Sequence, residues 1–114
     1  MIFELISEET YKHTIKPNFV KNGFFVFDDP FVKGVIEVYY KEDEVIIRRL
    51  NEFTTQLVFH KTKETTGFTS ILNNLVKLHI KTQSLLVSKD LIEVVYTLKG
   101  EGINMDQTVR FKNK

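Results

Sequence analysis

The sequence predicts an all-β domain: a single antiparallel β-barrel of about eight or nine strands over residues 1–114, with at most one short helical turn. Three observations predict it. The 114 residues contain no alanine, while Val, Ile, Thr, Phe and Tyr together supply 47. Alanine is the strongest helix former, and those five types suit a pleated, half-buried surface. Apolar residues also recur with period two rather than 3.6. Finally, the links between apolar runs are too short for crossover helices, and sequential antiparallel strands at this density fit a meander closed into a barrel. Closure would also remove the edges that strands this apolar otherwise expose.

The elements follow in order. Ile2 to Ile6 reads as a strand, continued or resumed over Thr10 to Ile15, and Pro17-Asn18 breaks the chain. Gly23 to Phe27 is apolar on both faces and ends at Asp28-Asp29-Pro30, so it is buried on both sides or meets a partner on one. Ile36, Val38 and Tyr40 share one face of the next strand. The charged turn Lys41 to Glu44 joins it to a strand with Val45 and Ile47 on one side and Ile46 and Arg48 on the other. Leu57 and Phe59 alternate with Val58 and His60, and the Thr-rich stretch Lys61 to Gly67 reads as strand or loop. Ile71, Leu72, Leu75 and Val76, preceded by Ser70, have a spacing that suggests one turn of helix or a wide loop. Val76, Leu78 and Ile80 then alternate with Lys77, His79 and Lys81. After a turn at Lys89-Asp90, Ile92, Val94, Tyr96 and Leu98 share a face. A turn over Lys99 to Gly102 leads to a last strand with Met105, Gln107, Val109 and Phe111 inward.

Composition excludes several chemistries. With no cysteine there is no disulfide, thiolate nucleophile or Cys-ligated metal. A net charge of +1, with 13 Lys against 3 Arg, gives no global drive toward nucleic acid. Glu4, Glu8 and Glu9 interrupt the N-terminus, which does not read as a signal peptide, and no apolar run approaches a membrane span. The expected location is the cytoplasm.

The later two thirds carry a resemblance. Leu75 to Thr82, Ile92 to Leu98 and Thr108 to Phe111 resemble the closing strands of the YwiB-like proteins, a bacterial domain-of-unknown-function family with a calycin-like β-barrel. Gly34 to Arg49, followed by Gly67, is similar to that family's central hairpin and the glycine after it, and Asn74 stands where the family tends to carry glycine. The resemblance covers roughly residues 23 to 112 and rests on alternation with a few fixed Thr, Tyr and Gly positions. It implies the calycin-like fold and an analogy to lipid-binding barrels. It implies no catalytic residues and no established ligand.

No nucleophile–base pair, phosphate loop or metal-ligand spacing joins His13, His60 and His79, and the acidic pairs fall in turns. His79 reads as solvated. Lys77, His79 and Lys81 form a basic strand face without interleaved aromatics, so it offers no base-stacking platform. The informative groups are polar residues on inward faces: Tyr40, Thr82, Tyr96 and Gln107. In a filled barrel each needs an internal hydrogen-bond partner. In a hollow one they orient an apolar ligand. The lack of small residues favours a filled interior. Two non-catalytic functions therefore stand side by side: binding of a small hydrophobic ligand, with no metal or other cofactor, or a filled barrel that interacts or homodimerises through the Phe-rich segment 24–31.

Overall fold

The computed structural model describes residues 1–100 and 102–113. The chain forms eleven strands and, among the described residues, no helix: β1 (Ile2–Ile6), β2 (Thr10–Thr14), β3 (Phe19–Lys21), β4 (Phe24–Asp28), β5 (Val35–Lys41), β6 (Glu44–Leu50), β7 (Thr54–His60), β8 (Thr65–Ile71), β9 (Asn74–Val87), β10 (Leu91–Gly100) and β11 (Ile103–Lys112). All pairings are antiparallel, in one sheet of order β2-β1-β11-β10-β9-β8-β7-β6-β5-β4-β3.

The count of eight or nine is corrected to eleven. The additional strands are β3, three exposed residues beyond the Pro17 break, and β8, whose inward row Thr65-Gly67-Thr69 carries no apolar alternation. The helical-turn or wide-loop reading around residues 71–76 is also corrected. Leu72 (φ 49°) and Asn73 (φ 67°) form a two-residue turn joining β8 to β9. Two successive positive φ values are what the right-handed twist of a tight hairpin requires. The Lys99–Gly102 turn joins β10 to β11, with Gly102 at φ 70°; Glu101 lies outside the described residues.

The sheet curls around one core. Phe3 of β1 meets Phe27 of β4 at 5.5 Å between ring centroids, and Phe25 meets Phe111 at 5.3 Å. No ladder pairs the edge strands β2 and β3. The link between them bridges the gap, with the Ile15 amide donating to the Met1 carbonyl and the Asn18 amide to that of Val26. The closed barrel expected from the sequence is thus met only in part: the architecture is barrel-like, and on this side packing and a short chain crossing stand in place of a closing ladder.

In β9 the register slips at Gln83: Thr82 faces Tyr96, whereas Ser84 faces Val95. This bulge shifts the inward parity, so Leu78 and Ile80 point inward before it and Leu85 after it. Two glycines permit close approach. A Cβ on Gly67 would stand 2.3 Å from the Gln56 carbonyl, so only glycine lets β8 pack against β7 here. Gly34 (φ 147°) would collide with the Leu50 carbonyl at 2.4 Å, and it holds the β4–β5 loop over one end of the sheet.

Candidate functional site

The two ends of the curled sheet differ. Near the β1–β11–β4 seam, Phe3, Phe25, Phe27 and Phe111 interlock, with Phe3 stacked on Phe111 at 5.2 Å. Toward the end covered by the β4–β5 loop the interior opens into a cavity of about 170 Å³. Its apolar wall comes from inward positions of several strands, among them Leu5, Ile36, Ile47, Leu57 and Val109. Its polar wall is Tyr96, Gln107, Thr55 and Arg49. Arg49 and Thr55 also line an open vestibule of about 600 Å³ with Val32, Phe53 and Ile71, so the cavity and the vestibule share a wall.

Each polar group has a defined setting. The Tyr96 hydroxyl donates to Gln107 Oε1 at 2.7 Å. Burial pushes the Tyr96 phenol well above its ordinary pKa, so it remains a donor at any physiological pH. Because Gln107's carbonyl oxygen is engaged, its amide nitrogen is the group with donors to offer. The Thr55 and Thr69 hydroxyls meet at 3.0 Å across β7 and β8.

At the mouth, Arg49 Nε donates to Asp29 Oδ2 at 2.9 Å, and a terminal guanidinium nitrogen stands 2.7 Å from the same oxygen. Asp29 Oδ1 accepts from the Phe31 amide at 2.9 Å. The Asp29 side chain is fully buried while Arg49 is about one third exposed. A buried carboxylate needs both charge and hydrogen-bond compensation, and this one has them. The result fixes Phe31 over the cavity, with the guanidinium carbon 5.7 Å from the ring centroid and Tyr11 and His13 edge-on at 5.6 and 5.0 Å.

Of the four inward polar residues singled out in the sequence, the structure brings Tyr96 and Gln107 together in the cavity. Tyr40 is half-buried against Phe25 and lines a separate depression at the opposite end, beside Met1 and the Ser88–Leu91 turn. Thr82 sits beside the bulge and lines neither the cavity nor the vestibule. Its hydroxyl oxygen is buried without a hydrogen-bond partner among the described residues. Phe25 and Phe27 of the Phe-rich segment are core, whereas Phe31 is partly exposed at the mouth.

Sequence reasoning missed Arg49, Asp29 and Thr55. The signal for Arg49 was present: two residues beyond Ile47, it falls by parity on the inward face, where an arginine must find a counter-charge. His60 is paired with Asp43 at 3.6 Å and accepts at Nδ1 from the Thr62 amide, which leaves Nε2 to carry the proton toward Asp43. That pair lies outside the cavity and vestibule walls. Among the described residues no three His, Asp or Glu side chains cluster as metal ligands, and no helix is long and apolar enough to cross a membrane.

No family model matches the sequence, and comparison with curated proteins gives no match. Among solved structures, the chain is similar to the crystal structure of the ywiB protein from Bacillus subtilis, with a TM-score of 0.63 at 13% identity, over 99% of this chain and 87% of that one. At that identity the likeness establishes fold alone. The chain has a YwiB-like, all-β, barrel-like fold.

Proposed function

We propose that this protein is a non-catalytic binding barrel that takes a small hydrophobic molecule into the cavity at its open end. One observation carries the reading: a 170 Å³ space with an apolar wall, polar groups on one side and an open vestibule beyond. An apolar protein cavity of roughly 150 Å³ holds one benzene-sized molecule, so the guest is a single ring or a short chain. The Gln107 amide and the Thr55 hydroxyl would orient a polar substituent. Arg49, neutralised by Asp29, would contribute a wall and a hydrogen-bond donor rather than a bare charge.

Native mass spectra of freshly purified protein, compared with denatured spectra, test this. A small co-purifying mass, or a rise in melting temperature on adding indole or benzene, is expected. A bare mass together with an unchanged melting temperature would overturn it.

A second reading attaches to the opposite side of the sheet. β3 is a short, exposed edge strand whose Phe19 packs on Phe24, and Phe24 on Tyr39, to form an aromatic patch on the outer face. Such an edge suits pairing with a second copy. Light scattering would reveal a dimer that Phe19→Lys dissociates, and a strict monomer at high concentration would end this reading.

A further inference from the structure

We propose that the β8–β9 hairpin and the basic row behind it dock this protein on an anionic membrane surface, with the mouth of the barrel toward the lipid. Leu72, at the hairpin tip, is 82% exposed and Leu75 is 71% exposed. Ile71, Phe53 and Val32 on the adjoining vestibule wall are also exposed. Exposed apolar side chains gathered at one end of a molecule are otherwise a solubility cost.

Leu72 is also an unfavourable choice for its own backbone. Its φ of 49° suits Asn or Gly, and a leucine there gains no core contact in return. A local rule broken without a packing benefit points to a use for the side chain.

The neighbouring charges define that use. On the outward face of β9, Leu75 heads a row continued by Lys77, His79 and Lys81, all exposed, and Lys99 of β10 pairs with His79 across the ladder. Leu75, Lys77, His79 and Lys99 border one surface depression. In the next one, Glu64 is the single acid among the described residues. Glu52 stands on the vestibule wall. The side-chain ion pairs among the described residues use none of these lysines: Arg49–Asp29 lies at the mouth, and Arg48–Glu37, Arg110–Glu93 and Lys112–Glu4 lie elsewhere.

The spacing fits an interface. Alternate strand residues are ~7 Å apart, so Lys77 stands about one head-group depth behind Leu75 when the tip enters the acyl boundary. Apolar insertion combined with flanking lysines is the pairing of forces that holds peripheral proteins on acidic lipid.

The test is co-sedimentation of the full chain with phosphatidylcholine vesicles and with vesicles containing phosphatidylglycerol. Binding is expected to the anionic vesicles and to weaken as salt is raised. Leu72→Asn relieves the turn, so it should raise the melting temperature while weakening vesicle binding on the order of tenfold. The double variant Lys77→Gln/Lys99→Gln should weaken it ~30-fold, at about fivefold per charge. The proposal is overturned by absence of binding to the anionic vesicles, or by binding that survives both sets of substitutions. It is equally overturned by a concentration-dependent dimer that Leu72→Asn dissociates, or by oligonucleotide binding that needs the lysines and ignores the leucine.

Discussion

The packed and open ends of this barrel are built from the same inward alternation and differ in one respect. At the packed end the inward positions are rings: Phe3, Phe25, Phe27 and Phe111 tile one another at 5.2 to 6.1 Å. At the open end Leu5, Ile36, Ile47, Leu57, Val109 and several polar groups supply most of the wall, and the rings of Phe3, Phe31 and Phe111 border the space without filling it. A sheet lacking alanine is therefore not uniformly filled. Aromatic volume fills one end, and buried Asp29, paired with the partly exposed Arg49, frames the other.

This difference orders the expected effects of mutation. Phe27→Ala removes a fully buried ring from the packed end and should cost ~3–5 kcal/mol in urea unfolding. Asp29→Asn leaves Arg49 without a counter-charge, yet the guanidinium is partly solvated, so a loss of about 2 kcal/mol is expected. The same substitution loosens Phe31, and enhanced proteolysis within the β4–β5 loop is its second readout. Tyr96→Phe deletes the hydrogen bond to Gln107 at the cavity wall and should cost ~1 kcal/mol. His79→Ser, on the outer face, should fall within about 0.5 kcal/mol of the parent. If Tyr96→Phe proved as costly as Phe27→Ala, the open end would be packed as tightly as the other, and the contrast would fail.

Acid adds a smaller effect away from both ends. Glu4 Oε1 stands 2.8 Å from the Lys112 ammonium, which holds its carboxyl below the usual range against the opposing effect of burial. A depressed folded-state pKa stabilises the fold above the unfolded carboxylate pKa, and this contribution is lost as pH falls through the folded value. Glu4→Gln should therefore flatten the acid side of the stability profile, measured by thermal melts from pH 7 to pH 3.

Much of the fold was legible because alternation is a strong signal. It placed the β5–β6 hairpin, the Lys89-Asp90 turn and the inward faces of β10 and most of β11. What escaped has physical causes. Asn22-Gly23, a strong hairpin signal, joins β3 to β4 with Gly23 at φ 84°, but three residues are too few for β3 to show alternation. β8 turns threonines and a glycine inward, so hydrophobicity does not mark it. The β8–β9 turn was hidden because Leu72 occupies a position where asparagine or glycine would have announced it. Within the site, Tyr96 and Gln107 follow from cross-strand register. Thr82 shares their face, but its place beside the Gln83 bulge, which no residue pattern disclosed, leaves it off the cavity wall. Asp29 looks like a turn acid in the sequence, and it is the β4–β5–β6 register, with Phe27, Ile36 and Arg49 in one row, that brings Arg49 to it.

A small apolar guest is expected to enter at the open end and not at the packed end. A methyl NMR titration with benzene distinguishes the two ends. Saturable shifts confined to Leu5, Ile36, Ile47, Leu57 and Val109, with Val38 and Val94 unmoved, are expected. Unchanged spectra, or shifts centred on the packed end, would contradict the account.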